Sequence, residues 1–546
     1  MSQHVSNTLA RIVADEDVPV LIVGGSLVGL SAAVFLGARG VRSLVVERHV
    51  GTAIHPRAAL VNQRTMENYR SVGIEEEIAE AAAREFVQNG AIVSVESLGG
   101  KELDYYFRNI NEGVEELSPC PRLFITQIGL EPVLLRKAEQ VGAEVQYASE
   151  IVGLEQDGDG VTATIRPRDG GPERTVRARY VLAADGAHSP VRERLGIRSL
   201  GHGSFSDSIT IYFRADVRPL LGERNLSVVY VFNPRLVGFF RFSIDGDAGF
   251  LVVNATFDDD GNRSVAIGED TSEDTCIRYV REALGAPDLP VQIENVQRWA
   301  ATADWAERFS DGRVLLAGDA VHVMPPTGGF GGNCGVQDAF DLAWKLQYVL
   351  DGAAPPALLE TYDTERRPVG SFTTEQAYTR YVLRLDPGLG KENLMPIVPE
   401  YTVELGYRHV SDAVALEEGD DGALWEDPNA PSGRPGMRAA HAWIDRNGST
   451  ISTLDLLCRG FTLVAGTEGT HWCSAAQAAA ERLGVPLDAY RIGLDFGDAS
   501  GAVAEAYGID AEGAVLVRPD GFVAWRARSA DGDVETTLAR ALARSG

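Results

Sequence analysis

The chain has 546 residues, more than one ordinary hydrophobic core can organise, so about two to four structural units are expected. Hydrophobic residues make up 45% and charged residues 23%, a composition that excludes a disordered or fibrous chain. The formal net charge of -28 repels phosphate backbones and anionic lipid heads, so neither nucleic acid nor a membrane is an expected partner.

The five cysteines are scattered, without a Cys-x-x-Cys pair or metal-ligand spacing, which favours a reducing cytoplasm and predicts no metal site. Residues 1–17 form a polar lead without the apolar stretch of a secretory signal. Residues 18–38 are apolar over roughly the length of a membrane span. Gly24, Gly25 and Gly29 interrupt them, so a buried strand, turn and helix are expected instead.

The N-terminal region has the pattern of a βαβ unit, the usual opening of a doubly wound nucleotide-binding fold. Residues 18–23 predict a strand, 30–40 a helix and 44–47 a second strand. The turn GGSLVG between them resembles a dinucleotide fingerprint with a serine in place of the middle glycine. An acid follows the last glycine by 18 residues, near the offset of about 20 at which it would accept hydrogen bonds from the ribose. The expected nucleotide contacts are Gly24, Ser26, Leu27, Val28, Gly29 and Glu47.

The middle of the chain changes from alternating strands and helices to a strand-rich pattern. A hairpin is predicted at 151–166, and four strands between 203 and 257 indicate an inserted β-sheet module. A strand at 314–317 and a helix at 333–350 then return to the first pattern. The predicted domains are therefore a discontinuous nucleotide-binding domain (18–202 and 296–410) and a β-rich domain (203–295, with part of 100–122).

The C-terminal part begins with residues 411–436, which are rich in Asp, Glu, Pro and Gly and predict a linker. Residues 437–546 form a small separate α/β domain, with strands expected at 461–465, 514–518 and 522–525 and a helix at 471–483.

Two further motifs place an aspartate directly after a predicted strand. Asp185-Gly186 follows residues 180–184, and Gly318-Asp319 follows residues 314–317. Either dipeptide alone is a common turn pair. Because open α/β sheets bind their ligands at the carboxyl ends of parallel strands, Asp185 and Asp319 are expected at the ligand.

The three motifs in this order resemble the flavoprotein aromatic hydroxylases, the family of p-hydroxybenzoate hydroxylase and phenol hydroxylase. They are the glycine turn, DGxxSxVR and GDAxHxxPPTGGxGxN, and the resemblance spans about residues 18–350, including 55–58 and 62–67. It implies that FAD is bound, with Asp319 at its ribityl chain and a helix start after the glycine run at its ring. It adds these residues to the cofactor site: Arg48, Arg57, Gln127, Pro326, Gly329, Gly331, Gly332 and Asn333.

Within this family the chain looks most like the aromatic polyketide hydroxylases, such as aklavinone and tetracenomycin hydroxylases. The implied fold class is α/β: a Rossmann-like FAD-binding domain, an inserted β-sheet substrate domain, and a C-terminal thioredoxin-like domain, here without a Cys-x-x-Cys pair. The resemblance implies that NAD(P)H and O2 are consumed and that a C4a-hydroperoxyflavin hydroxylates an aromatic polyketide-type substrate in antibiotic biosynthesis. A monomer or homodimer is expected.

The substrate is expected between the flavin and the inserted sheet, where Tyr212, Phe232, Phe239 and Phe240 supply apolar rings. The resemblance to aklavinone hydroxylase makes Tyr230 and Arg384 the expected substrate-facing pair. Two alternatives stay open: Baeyer-Villiger or ring-opening oxygenation on the same fold, and a flavin or polyketide binding protein without catalysis.

Overall fold

The computed structural model describes residues 16–54, 59–258, 260, 267, 269–457 and 459–544. These residues form two eight-stranded sheets, one two-stranded sheet and one four-stranded sheet, with helices packed between and around them. In this part of the chain, every helix is too short or too polar to cross a bilayer.

The first large sheet, the nucleotide sheet, is built around a parallel core. Its order is β14-β15-β8-β1-β2-β5, with β6 and β7 added beside β8, and residues 20–23 at its centre are completely apolar and buried. The βαβ unit, the hairpin and the two motif-bearing strands all lie in this sheet as expected. The strands are β1 Glu16–Val23, β2 Ser43–Val46, β5 Glu144–Gln146, β6 Ser149–Gln156, β7 Val161–Pro167, β8 Arg174–Ala183, β14 Ser310–Asp311 and β15 Val314–Leu316.

Helices pack on the nucleotide sheet and on one another. They are α1 Leu27–Ala38, α2 Gln63–Ser71, α3 Glu75–Glu85, α4 Gln127–Gln140, α5 Pro190–Arg194, α8 Phe330–Leu350 and α9 Ala357–Arg384. The expectation that a helix begins at Asn333 was wrong by three residues, because α8 already starts at Phe330 within the glycine run. The sequence does not indicate this helix start because glycine has a low helix propensity.

The second large sheet, the substrate sheet, has the order β16-β13-β9-β12-β11-β10-β3-β4. It extends beyond the expected 203–295 and part of 100–122, since β9 and β13 run past both ends of 203–295 and β3 comes from earlier in the chain, while β4 lies within 100–122. Helix α7 (Glu273–Leu284) packs on one face and α9 on the other, with the short helices α6 (Arg218–Leu221) and α10 (Glu400–Leu405) nearby. The strands are β3 Ala91–Val95, β4 Glu102–Phe107, β9 Ser199–Arg214, β10 Leu226–Phe232, β11 Leu236–Phe242, β12 Ala248–Thr256, β13 Gln292–Ala306 and β16 His322–Val323.

The C-terminal unit has the strand order β20-β19-β21-β22, with β19 parallel to β20 and antiparallel to β21. This βαβ unit followed by an antiparallel pair is the thioredoxin-like topology that the sequence predicts. Its elements are β17 Trp443–Arg446, β18 Ser449–Ser452, β19 Phe461–Ala465, α11 Thr470–Leu483, β20 Leu487–Arg491, α12 Ala502–Tyr507, β21 Ala514–Val517, β22 Val523–Ala527 and α13 Val534–Ala541.

Buried ion pairs attach the C-terminal unit to the nucleotide-binding part. Arg518 binds Glu365 of α9 at 2.5 Å, and Arg438 binds Glu67 of α2. The expected linker, 411–436, has no helix or strand, yet it packs on this unit, where its Glu417 binds Arg526 at 2.7 Å. It is therefore an ordered loop and not a free spacer.

Candidate active site

The three sequence motifs meet at the start of α1. Gly24 lies in the left-handed region (φ +101), and a Cβ on it would stand 2.3 Å from the carbonyl oxygen of Ala184, the residue just before the second motif. A Cβ on Gly318 of the third motif would stand 2.8 Å from Val28 Cγ2. Glycine is needed at both positions because backbone and helix approach this closely.

Glu47 lies at the end of β2 against the glycine turn. Its Oε2 accepts the Gly25 N–H at 2.7 Å, and its Oε1 accepts the His49 N–H at 2.8 Å. The carboxylate is thus held beside the helix start, where the ribose of a dinucleotide is expected. Arg48, the neighbouring candidate, is exposed at the strand end.

Ser26 and Gln127 lie together on the other side of the turn. The Gln127 Nε2 donates to Ser26 Oγ at 3.1 Å, and Ser26 Oγ donates to Glu131 Oε1 at 2.5 Å. Glu131 also accepts the Ala53 N–H at 2.6 Å, and its burial raises the pKa of its carboxyl group. Sequence reasoning missed Glu131, although its position one turn after Gln127 on α4 was an available signal.

The two motif aspartates differ in what their side chains can do. Asp319 is exposed at the carboxyl end of β15, as a ligand contact requires. Asp185 instead accepts the Ser189 hydroxyl at 2.5 Å and the Val191 N–H at 3.0 Å. The Asp185 carboxylate therefore fixes the turn that begins α5, next to Gly24, and its contact with the cofactor stays a prediction.

Helix α8 begins without a side-chain cap, at Gly329 in the left-handed conformation (φ +67). Its first N–H groups, in the run that includes Gly331 and Gly332, have no acceptor within the helix. They form the positive end of the helix dipole. Exposed Pro326 precedes them, and its carbonyl accepts the Gly329 N–H at 3.0 Å.

Asn333 was expected to touch the cofactor, but its amide is occupied by the protein. It donates to the Leu60 and Gly329 carbonyls at 2.9 and 2.8 Å and accepts the Asn62 N–H at 2.9 Å. Asn333 thus ties the first turn of α8 to the segment before α2. The remaining candidate, Arg57, lies outside the described residues.

The assembled groups fit a flavin dinucleotide. An uncapped helix start beside a glycine turn suits a pyrophosphate, and a strand-end carboxylate beside it suits the adenosine ribose. For the flavin half of the cofactor, the Asp319 carboxylate can accept a hydrogen bond from a hydroxyl group. The start of α8 supplies a second set of N–H donors. The glycine turn, Glu47 and Asp319 all follow the carboxyl ends of parallel strands of the nucleotide sheet.

The substrate sheet presents an aromatic face to α9. Tyr230 packs against Tyr106, Phe232 and Phe239 with ring centroids 5.5, 6.4 and 5.7 Å away. Two of the expected aromatics do not belong to this group. Phe240 points to the opposite face, in the core beneath α7, and Tyr212 pairs with Phe250.

Strand alternation explains this division, since neighbouring residues point to opposite faces. On β11, Phe239 faces α9, so Phe240 must face α7.

The structure brings Tyr230 and Arg384 together, although 154 positions separate them in the sequence. Arg384 at the end of α9 lies over the Tyr106 ring (4.9 Å to the centroid) and donates to Glu400 Oε1 at 3.2 Å. Burial raises the pKa of Tyr230 despite the nearby Arg384 charge. Burial alone would lower the pKa of Arg384, but the neighbouring Tyr230 and Glu400 raise it above the ordinary value. Tyr230 and Arg384 are therefore a neutral phenol beside a charged guanidinium.

Comparison with known families agrees with this geometry. Residues 17–377 match the family model described as an FAD binding domain, and residues 432–545 match one described as aromatic-ring hydroxylase, C-terminal. The chain belongs to the FAD-dependent aromatic-ring hydroxylases. FAD binding, enzymatic activity as a flavin monooxygenase that uses NAD(P)H, and the α/β fold with a thioredoxin-like C-terminal domain are thereby confirmed.

Relatives of known activity align over almost the whole hydroxylase chain. A 4-methyl-5-nitrocatechol 5-monooxygenase of Burkholderia sp is 49% identical, over 97% of each chain. A tetracenomycin A2 monooxygenase-dioxygenase of Streptomyces glaucescens is 38% identical, over 97% of this chain and 98% of that protein. The crystal structure of aklavinone-11 hydroxylase with FAD and aklavinone superposes with a TM-score of 0.91 at 39% identity, over 97% and 99%.

Proposed function

We propose that this hydroxylase oxygenates a phenolic ring of an aromatic polyketide-type substrate, held on the aromatic face of the substrate sheet. The observation that carries the proposal is the pair of buried Tyr230 and partly buried Arg384 within a surface of aromatic rings. Such a surface binds a flat apolar ligand, while one cation and one hydroxyl donor fix its orientation.

The charge of Arg384 has a chemical role in this proposal. A cation beside a phenol favours its ionised form, and a phenolate ring carries more electron density than the neutral phenol. Tyr230 stays protonated because burial raises its pKa, so its hydroxyl donates to the same substrate oxygen. When bound, FAD accepts electrons from NAD(P)H and activates O2.

The protein groups that would hold FAD are the α1 start, Glu47, Gln127, Asp319 and the α8 start. The rings of Tyr106, Phe232 and Phe239 keep water away from the proposed reaction face, which preserves the electrostatic effect of Arg384. The protein's contribution is therefore positioning, desolvation and one placed charge.

A second substrate class is favoured by one specific observation. The relative with 49% identity is named for 4-methyl-5-nitrocatechol, a single-ring compound, whereas the polyketide enzymes reported above share 38 to 39%. A nitro group makes a catechol more acidic, so this ligand also suits Arg384. Both classes share an ionisable phenol.

A substrate panel tests the proposal. Wild-type holoenzyme is assayed with 4-methyl-5-nitrocatechol and with phenolic naphthacenequinones and anthracyclinones, by NAD(P)H consumption and product mass. A product in which the new oxygen is inserted into a carbon–carbon bond, so that the ring is expanded or cleaved, or NAD(P)H oxidation without product, would contradict hydroxylation.

Variants then test the residue roles. Arg384→Met and Tyr230→Phe should each lower turnover and uncouple NAD(P)H oxidation from product at unchanged FAD content. Exposed Arg298→Met and Tyr105→Phe, whose ring packs toward α7, are the matched controls. Wild-type turnover and coupling in both test variants would remove Tyr230 and Arg384 from the mechanism.

A further inference from the structure

A buried charge cluster, the Asp338 cluster, lies directly beneath the Gly318-Asp319 turn. Asp338 of α8 accepts the Gly318 N–H at 3.1 Å, contacts His322 Nε2 at 2.8 Å and accepts Arg366 Nε at 2.8 Å. Asp338, His322 and Arg366 are no more than 1% exposed as side chains. The cluster is therefore sealed from water, and none of its three side chains reaches a ligand directly.

The cluster is ionised although it is buried. Burial opposes ionisation of Asp338, but Arg366 and His322 lower its pKa below the ordinary value. Arg366 in turn donates to the carbonyl oxygen of Cys334 at 3.2 Å. Because Arg366 and Gly318 already use the Asp338 oxygens, the group is an ion-pair network and not a cation site.

The position of the cluster links two parts of the flavin site. Gly335, one turn before Asp338 on α8, packs so closely that a Cβ there would stand 2.8 Å from the Gly318 Cα. The same helix begins at Phe330, where its N–H groups face the expected flavin ring. Asp338 thus connects the α8 start to the residue before Asp319.

Gly318 also needs an acceptor for its N–H. It lies in the left-handed region (φ +63), and the strand β15 ends before it, so sheet pairing cannot fix this peptide. A buried N–H left without an acceptor costs about 1–3 kcal/mol. The Asp338 carboxylate supplies that acceptor and so selects one orientation of the turn.

We propose that Asp338 is a positioning residue for FAD: its carboxylate fixes the Gly318 peptide and thereby aims Asp319 at the flavin's ribityl chain. The inference rests on the proposed contact of Asp319 with FAD. Arg366 and His322 act through Asp338, by keeping it ionised and unable to rotate away from Gly318.

The test measures FAD affinity of the full-length apoprotein by quenching of flavin fluorescence. Asp338→Ala should raise the Kd for FAD by about 10- to 100-fold, as expected for the loss of a hydrogen bond to a charged group. Asp338→Asn keeps an oxygen for the Gly318 N–H, so it should recover part of the affinity. Asp341→Asn, one turn further along α8 and equally buried, is the matched control and should leave the Kd unchanged.

Thermal midpoints of the apoproteins separate positioning from loss of structure. We expect both Asn variants to lower the thermal midpoint of the apoprotein, because each removes a carboxylate beside a buried cation, but only Asp338→Asn to weaken FAD binding. If both Asp338→Asn and Asp338→Ala bind FAD with the wild-type Kd, the inference is overturned. If Asp338→Ala fails to fold, a wild-type Kd in Asp338→Asn alone overturns it. Asp319→Ala is measured alongside: a wild-type Kd there refutes the Asp319 contact itself, which separates that failure from one confined to Asp338.

Discussion

Replacement of Glu47 by alanine probes the adenosine half of the cofactor site. The carboxylate accepts the Gly25 and His49 N–H groups at 2.7 and 2.8 Å and contacts His49 Nδ1 at 2.6 Å, which fixes it beside the expected ribose. A hydrogen bond to a charged acceptor is worth about 1.5–3 kcal/mol. Loss of one ribose bond should therefore raise the Kd for FAD by about 10- to 150-fold, since about 1.4 kcal/mol is tenfold.

The assay is a fluorescence titration of apoprotein with FAD. Glu47→Gln should lie between wild type and Glu47→Ala, because an amide oxygen still accepts hydrogen bonds but carries no charge. Glu139→Ala, which removes an exposed glutamate of α4, should bind FAD like wild type. Equal Kd values for Glu47→Ala and wild type would show that the adenosine ribose lies elsewhere.

Three further predictions concern the C-terminal unit. Arg518→Met leaves buried Glu365 and Asp520 without their main cation and should lower the free energy of unfolding by about 3–5 kcal/mol, while partly exposed Arg434→Met should cost less than about 1 kcal/mol. Equal urea midpoints for the two variants would contradict this.

Burial lowers the pKa of His441 to about 4, so the stability it contributes is present above its unfolded value of about 6.5 and is lost as pH falls from there toward 4. The thermal midpoint of His441→Gln should fall less over this window than that of wild type, and parallel curves would refute it. Burial also raises the pKa of the Cys473 thiol, so the full-length protein should not accelerate insulin disulfide reduction, and acceleration abolished by Cys473→Ser would contradict this.

Local patterns predicted those parts of the fold that local physics decides. The apolar run before Gly24 and the glycines that allow close packing specify the βαβ unit, and the turn at 157–160 specifies the hairpin. The start of α8 was misplaced because glycine lowers helix propensity, while tertiary packing on Val28 and Gly318 stabilises a helix there.

The parts that sequence could not supply depend on side chains distant in the chain. Asp185 and Asn333 have residue types that suit a ligand, but Asp185 accepts the nearby Ser189 hydroxyl and Asn333 donates to the distant Leu60 carbonyl, which a motif does not reveal. Arg518 and Glu365 form their ion pair across 153 positions, and the acidic segment 411–436 looks like a spacer until its partners are seen. Only the resemblance to a family suggested Tyr230 and Arg384.

The most direct test of the central claim is turnover under 18O2 with purified, FAD-loaded enzyme, NAD(P)H and the phenol that stimulates NAD(P)H oxidation most strongly. The proposed hydroxylation predicts a product that carries one labelled oxygen on the ring, formed in step with NAD(P)H consumption, and a loss of this coupling in Arg384→Met. A product whose new oxygen comes from water, or protein that binds FAD but never transfers labelled oxygen to any phenol of the panel, would contradict it.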